Sequence, residues 1–428
     1  MEIVILIFSS FTFGWTIYNL PALLIGVRLI RRRNDAKKSG EFTDHGGLPF
    51  FSLIVPMKDE GKVAYRILDA LMKINYPSDK YEIIVVDDAS VDETSDVCRK
   101  FERLYPTKMR YFRRDISPGK PSALNYGLKF ARGEIVGVFD ADNLPDPGIL
   151  LKSAKHFRSQ NVVAVQGLLS SINAEENMLT KLIHFEGIIY NHALFLGKDK
   201  LGLFVPLTGS CQFVRRKVLE EVDGWSDRAL SEDMELSARL TEKGYCVNFA
   251  EDVQSWQENP SNFGQLLRQR VRWFRGCMEV AFKYGRLLKR LDRRSVDAEV
   301  FFTGSFMMLF VLAMYVSSLY MTLAPFNLGT YTNALAQFTS LSTLFTLLTL
   351  GIGLAYATKP RRISNVKWLP FIYLYWVTQV FVAFYAFLQI VLRRPRRWTK
   401  TPRSGIISNY QLTQFTPSSS DSEHSTNL

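Results

Sequence analysis

Gly133-Glu134-Ile135-Val136-Gly137-Val138-Phe139-Asp140-Ala141-Asp142 is a short apolar run that ends abruptly in two carboxylates one residue apart, followed by the turn formers Asn143-Leu144-Pro145. The composition of Ile135 to Phe139 predicts a β-strand, so this strand delivers acid to a loop. In a parallel α/β sheet ligands bind just beyond the carboxyl ends of the strands. Asp140 and Asp142 are therefore placed to hold a metal ion rather than to solvate a surface. Asp-x-Asp by itself is a pattern that any acidic turn satisfies, and its weight comes from its surroundings.

Working outward, Phe51-Ser52-Leu53-Ile54-Val55-Pro56 reads as a buried strand, Gly61 to Ile74 has apolar residues at helical spacing, and Tyr81 to Val86 is a second strand ending in Asp87-Asp88-Ala89-Ser90. Strand, helix, strand predicts a right-handed parallel unit. Asp92 to Leu104 reads as a helix, Met109 to Phe112 as a strand and Ser122 to Ala131 as a helix. Acids at two strand ends of repeated βα units describe a nucleotide-binding sheet. Neither G-x-G-x-x-G nor G-x-x-x-x-G-K-[ST] occurs, so phosphate would be neutralised by a metal ion and basic side chains, with Lys120 of Pro118-Gly119-Lys120-Pro121 a candidate.

Beyond Pro147 come a helix to Arg158, a strand at Val162 to Gly167, a helical stretch through Glu175 to Leu196, and Thr208-Gly209-Ser210-Cys211-Gln212-Phe213-Val214-Arg215-Arg216. Gly209 fits either a tight turn or a close approach of backbone to ligand. In Leu230-Ser231-Glu232-Asp233-Met234-Glu235-Leu236, Ser231 can cap a helix whose first turn holds three acids.

The chain has 428 residues and a net charge of +12, with basic residues gathered beside apolar runs (Arg28, Arg31 to Arg33; Lys359, Arg361, Arg362; Arg393, Arg394, Arg396, Arg397). That is the flank pattern of membrane segments. No nucleic-acid partner is expected, because the clusters border apolar spans and no recognition module is evident. The four cysteines (Cys98, Cys211, Cys246, Cys277) show no Cys-x-x-Cys spacing and are expected to be reduced and buried.

Ile3 to Ile30 is too long for a signal-peptide core and is followed by Arg31-Arg32-Arg33, which predicts a spanning helix over 1–33 with its basic end inside. A polar linker over 34–50 follows. After the soluble α/β part at 51–260, residues 261–295 are amphipathic, as in a helix lying in the membrane interface. Three apolar segments near Ala298 to Pro325, Phe338 to Ala357 and Trp368 to Leu392 occupy 296–393, and 394–428 is a basic segment with a Ser/Thr-rich disordered tail. If all three late segments cross, the basic stretch from Arg393 to Arg403 lies outside, against the charge rule. If one is re-entrant or interfacial, the stretch is cytosolic, which is the favoured reading.

Asp87-Asp88, Asp140-Ala141-Asp142, Ser231-Glu232-Asp233 and Gln269-Arg270-Val271-Arg272-Trp273 together resemble, in order and spacing, the membrane-embedded family 2 glycosyltransferases with the D, DxD, ED, Q-x-x-R-W signature, such as poly-N-acetylglucosamine, hyaluronan, cellulose and chitin synthases. The resemblance runs from about Phe51 to Gly276. It implies a GT-A fold, a mixed and mostly parallel sheet flanked by helices, in a multi-pass protein of the cell membrane with a cytosolic catalytic domain. It also implies a UDP-sugar donor, UDP-N-acetylglucosamine or UDP-glucose, and Mg²⁺ or Mn²⁺. Carried over, Asp87 and Asp88 would contact the nucleoside, with Pro56 and Glu60 nearby. Asp140 and Asp142 would flank the donor diphosphate, with Asp142 holding the metal, and Asp233 would be the general base. Gln269, Arg272 and Trp273, with Glu232 and Gly209, would enclose the diphosphate and acceptor sugar, although a tryptophan on an interfacial helix also serves as a membrane anchor. Trp398, Thr401 and Arg403 look like the gating element that some of these enzymes place over UDP.

The leading expectation is an inverting, processive enzyme extending a β-linked polysaccharide. Its partners would be the UDP-sugar, the growing glycan, the bilayer and a small accessory membrane subunit. The alternative is transfer of one sugar to a lipid acceptor. A different class, an inactive membrane scaffold or export subunit, conflicts with the full set of acids.

Overall fold

The computed structural model describes residues 2–35, 47–285, 292–323, 330–358, 363–396, 403, 405 and 407. The expected linker therefore lies largely outside the described residues, as do Trp398, Thr401 and the tail.

The α/β region is an eight-stranded mixed sheet flanked by helices. Its strands are β1 (Phe51–Met57), β2 (Tyr81–Asp87), β3 (Met109–Arg113), β4 (Ile135–Val138), β5 (Leu144–Pro145), β6 (Ala164–Ser171), β7 (Gln212–Arg215) and β8 (Val247–Gln257). They lie in the order β3-β2-β1-β4-β7-β6-β8-β5. The first four are parallel, β7 runs antiparallel between β4 and β6, and β8 is parallel to β6. The chain winds outward from β1 to β3 and then returns to place β4 on the other side of β1. That reversal, beyond the carboxyl ends of β1 and β4, marks the crevice at which doubly wound sheets bind their ligands. The near-continuous burial of β1, β2 and β4 follows from helices covering both faces.

The helices are α1 (Glu2–Asp35), α2 (Gly61–Met72), α3 (Thr94–Leu104), α4 (Lys120–Leu128), α5 (Ile149–His156), α6 (Met178–Gly187), α7 (Phe195–Lys200), α8 (Arg216–Glu221), α9 (Glu232–Glu242), α10 (Phe263–Tyr284), α11 (Arg293–Leu323), α12 (Thr330–Ala357) and α13 (Leu369–Val391). A π-helical segment, Ile188–Leu194, joins α6 to α7. Ser231 precedes α9 without a side-chain cap, whereas Asn177 and Thr180 form a reciprocal capping box on α6. Cys98 and Cys211 are buried as expected. Cys246 and Cys277 are only half-buried, and all four are free.

Four stretches among the described residues are long and apolar enough to cross a membrane: Leu6–Arg32, Arg293–Ser317, Gln337–Ala357 and Ile363–Val391. α1 runs alongside α12 in the same direction, with Ser9 on Thr339 (3.1 Å) and Thr16 on Thr346 (3.3 Å). It runs opposite to α11, with Phe8 stacked on Phe310 and Tyr18 donating to Asp297. α13 behaves differently. It starts with Trp368 beside Phe185 of α6 and ends where Arg275 of α10 donates to the Arg394 carbonyl (2.6 Å).

Two features fasten α1 to the α/β region. Ala22 and Gly26 of α1 face Ala193 and Gly197 of the π-to-α7 segment so closely that a Cβ on Gly26 would lie 1.7 Å from the Ala193 carbonyl oxygen, and one on Gly197 1.7 Å from that of Ala22. This is the small-xxx-small contact by which apolar helices bring backbones together. The second is Asp297, fully buried, whose carboxylate accepts from Lys198 Nζ (2.7 and 2.8 Å), the Phe204 amide (2.9 Å) and Tyr18 Oη (2.9 Å). Removing one partner of such a pair typically costs about 3–5 kcal/mol. Gly26→Leu is expected to destabilise the detergent-solubilised chain by about 2–3 kcal/mol through overpacking. Gly14→Leu, where nothing lies within 4 Å, should leave the thermal midpoint in place, and the two are compared by thermal unfolding.

Candidate active site

The crevice gathers side chains from distant parts of the chain. Lys120 opens α4, where Gly119 has φ 115°. Its ammonium pairs with Asp140 Oδ1 (2.7 Å) and Glu232 Oε1 (3.2 Å) and donates to the Gly209 carbonyl (2.8 Å). Burial works against its charge, but Asp140 and Glu232 more than offset that and hold it above the usual lysine range. The lysine singled out in the sequence as a candidate for phosphate thus lies between Asp140 and Glu232, with Asp233 close enough to act on its charge.

Gly209 has φ +84°, and a Cβ there would lie 3.1 Å from Asp233 Oδ2 and 3.3 Å from Lys120 Nζ. The glycine both adopts the left-handed conformation and leaves room between these two groups. Asp233 Oδ1 accepts from the Met234 amide (2.8 Å) at the start of α9. Burial, then the neighbouring Glu232, push its carboxyl up to about 7, while Lys120 and Arg272 pull the other way.

The Asp140–Asp142 loop is fixed from behind. The Asp140 amide donates to Ser210 Oγ (2.9 Å), and Ser210 and Ser255 both donate to Asn143 Oδ1 (2.9 and 3.0 Å). Asp142 Oδ2 accepts from the Glu258 amide (3.1 Å) and pairs with Arg403 (3.2 Å). Burial pushes the Asp142 carboxyl up, with Asp140 adding to this and Arg403 opposing it. Among the described residues no cluster of three or more His, Cys, Asp or Glu is arranged around a metal position. The two carboxylates fit a hard cation that takes its remaining ligands from a diphosphate and water.

Arg403 also donates to the Glu258 carbonyl (2.7 Å), the Gly405 amide donates to Glu258 Oε2 (3.1 Å), and Arg66 of α2 donates to the carbonyls of Asp142 (3.0 Å) and Gly405 (3.4 Å). Arg403 and Gly405 are therefore held beside Asp142, Arg66 and Glu258. Glu60 is close enough to Arg403 to act on its charge. Arg66 and Glu258 escaped the sequence reading. The acid of Gln257-Glu258-Asn259-Pro260 directly follows a strand and precedes a turn, the same signal that marked Asp140.

At the end of β2, Asp87 is fully buried, accepting from the Ser90 amide (2.9 Å), Ser95 Oγ (2.6 Å) and Tyr111 Oη (2.7 Å). Burial opposes its charge, but these bonds hold its carboxyl below the usual range. Asp88 accepts from Ser117 Oγ (2.6 Å) and the Gly119 amide (3.2 Å) and pairs with Arg114 (3.2 Å). Both acids thus also tie the β2 end to its neighbouring loops. Pro56 is the penultimate residue of β1 and is half-buried at the same crevice edge.

Arg272 donates to the Leu230 carbonyl (3.3 Å) and acts on Asp233. It is brought there because α10 approaches α9 at Gly276, where a Cβ would fall 2.3 Å from Ser231 Oγ. Gln269 is half-buried one turn before Trp273, which is 37% exposed. The crevice thus joins Asp142 to Asp233 through Asp140 and Lys120.

The sequence profile described as "Glycosyltransferase like family 2" matches residues 49–276, more than half of the chain. The chain belongs to glycosyltransferase family 2. This family 2 glycosyltransferase is 32% identical over 263 residues to "Probable glycosyltransferase YdaM" of Bacillus subtilis (strain 168), covering 60% of this chain and 61% of that protein. It is 31% identical over 320 residues to the "Beta-monoglucosyldiacylglycerol synthase" of Nostoc sp. (strain PCC 7120), covering 72% of this chain and 63% of that one. The chain therefore spans somewhat over three-fifths of the length of these relatives. Among solved structures, the mannosyltransferase PcManGT from Pyrobaculum calidifontis, in complex with GDP-Man and Mn²⁺, aligns with TM-score 0.62 and 20% identity over 91% of this chain and 100% of that one. That likeness bears on the fold, which is GT-A-like.

Proposed function

We propose that this glycosyltransferase moves one sugar from a nucleoside diphosphate sugar to a hydroxyl carried by a membrane lipid, with inversion at the anomeric carbon. The observation that carries the chemistry is the convergence of Asp140, Lys120, Glu232, Asp233 and Arg272 around Gly209. Asp233 takes the proton of the acceptor hydroxyl as its oxygen attacks the anomeric carbon. The bond from that carbon to the diphosphate oxygen breaks, and the nucleoside diphosphate leaves with the electron pair. A carboxyl near 7 is well matched to such a base at neutral pH. Lys120 and Arg272 stabilise the charge that develops on the leaving group.

Asp142, with Asp140, would hold Mg²⁺ or Mn²⁺; when bound, the ion supplies further charge neutralisation on the diphosphate. PcManGT, solved with Mn²⁺, supports a divalent ion. Asp87, Asp88, Pro56 and Glu60 would line the nucleoside end. Gln269 and Trp273 would face the acceptor, and Arg403 would cover the donor as a lid.

A lipid acceptor is favoured over the polysaccharide extension expected first. Among the described residues α1 packs directly along both α11 and α12 through stacked aromatic rings and hydroxyl pairs, and the cavity between α1, α12 and Trp376 of α13 holds only about 60 Å³. The Nostoc relative is named for a glucolipid product. Three helices, α1, α11 and α12, would cross the bilayer, while α13 returns to its starting side. The basic stretch from Arg393 to Arg403 then lies with the catalytic region, in accord with the charge rule.

The test is incubation of the full chain with UDP-[¹⁴C]glucose, Mn²⁺ or Mg²⁺ and dioleoylglycerol in phospholipid vesicles. One hexose per lipid is expected. A ladder of products would restore the polymer reading, and no transfer to lipid would overturn the proposal.

A further inference from the structure

Arg270 lies inside the motif at 269–273 and has no part in the chemistry above, yet it is among the most tightly held side chains of α10. Its Nη2 donates to Glu186 Oε2 at the end of α6 and to Tyr375 Oη of α13 (3.0 Å), and Tyr375 Oη donates to the same Glu186 oxygen (3.0 Å). The ring of contacts is sequestered: the Arg270 and Glu186 side chains are 12% and 17% exposed, and Tyr375 is 4% exposed. The guanidinium is planar, so bonds made in its plane leave its face free. The indole of Trp273 fills that position, its centroid 4.6 Å from Arg270 Cζ.

We infer that Glu186, Arg270 and Tyr375 form a positioning triad that sets the orientation of Trp273 for the acceptor. This rests on the reading that Trp273 meets the acceptor. Trp273 is otherwise a surface residue of a helix, 37% exposed, and a large indole so placed has several rotamers open to it. Stacking on a guanidinium that is itself held by α6 and α13 selects one of them. The carboxylate keeps Arg270 from swinging toward solvent, and Tyr375 closes the ring from α13. The triad touches neither Asp233 nor Asp142, so it acts on acceptor binding and not on cleavage of the sugar–phosphate bond.

The experiment uses the full chain in vesicles with UDP-[¹⁴C]glucose, Mn²⁺ and dioleoylglycerol, and compares Glu186→Gln and Tyr375→Phe with wild type. Both variants are expected to raise the acceptor KM, by about three- to thirty-fold from the usual strength of a cation–π contact. UDP release without acceptor should stay within about twofold. In a Trp273→Ala background, Glu186→Gln should add nothing further, because the path through the indole is gone. A parallel fall of kcat and acceptor-free UDP release at unchanged KM would overturn the triad, as would an undiminished Glu186→Gln effect without Trp273. If Glu186→Gln does not fold, Tyr375→Phe, which keeps the ring and its packing, decides. Trp273→Ala with an unchanged acceptor KM would sink the acceptor reading and the triad together. A raised KM in Trp273→Ala with no effect of either triad variant would sink the triad alone.

Discussion

Asp233→Asn is expected to lower sugar transfer by about 10²–10⁴-fold, the usual contribution of a general base, while UDP-sugar binding persists. The asparagine fills the same space and keeps an oxygen for the Met234 amide, so α9 should keep its start. What it loses is the ability to take a proton. The pH profile carries a second signature. Because burial and Glu232 push Asp233 up to about 7, the wild-type rate should fall as pH drops through about 7, where the base becomes protonated. Glu232→Gln removes the nearby negative charge and frees Lys120 from one of its partners, and both changes favour ionised Asp233. The acid limb should therefore move to lower pH. A limb that stays in place, or a rate untouched by Asp233→Asn, would remove Asp233 from the chemistry.

Asp142→Asn is the second substitution of large expected effect, about 10²–10³-fold on transfer, comparable to removing one charge-stabilising group from an active site. The amide keeps the shape of the loop, but it cannot neutralise a cation as a carboxylate does. Transfer measured against Mn²⁺ concentration should shift toward higher metal, with partial recovery at saturation. The same change leaves Arg403 buried beside a neutral group, and Arg403 also bonds the Glu258 carbonyl. Circular dichroism and thermal unfolding separate the two consequences: a folded protein with a shifted metal curve supports the ion site. A collapse of stability at unchanged metal dependence would make Asp142 a structural partner of Arg403 and no more.

The apolar runs of β1, β2 and β4, and the acids at their ends, were legible because a strand buried on both faces needs consecutive hydrophobic residues and its loop needs polar ones. The same logic missed β8. Val247–Gln257 carries Glu251 and Asp252 in its middle, and its pairing with β6 shifts register between Gly167 and Leu168. A bulge interrupts the alternation that marks a strand. β7 was hidden for another reason: at four residues it is too short to show a period.

The chain's own order of residues set the strand-end carboxylates, the helical periodicity of α2 to α4, the amphipathic character of α10 and the apolar length of α1, α11, α12 and α13, because each depends on neighbours a few positions away. Folding alone determined that Lys120 lies between Asp140 and Glu232, that Arg66, Glu258 and Arg403 meet at Asp142, and that the chain leaving α13 meets Arg275 of α10. Those pairings join residues far apart in the chain, and no local spacing announces them. They exist because closing the sheet at β1 and β4 and docking α10 on α9 bring charges together in one crevice, where burial makes an unpaired ion too costly to leave alone.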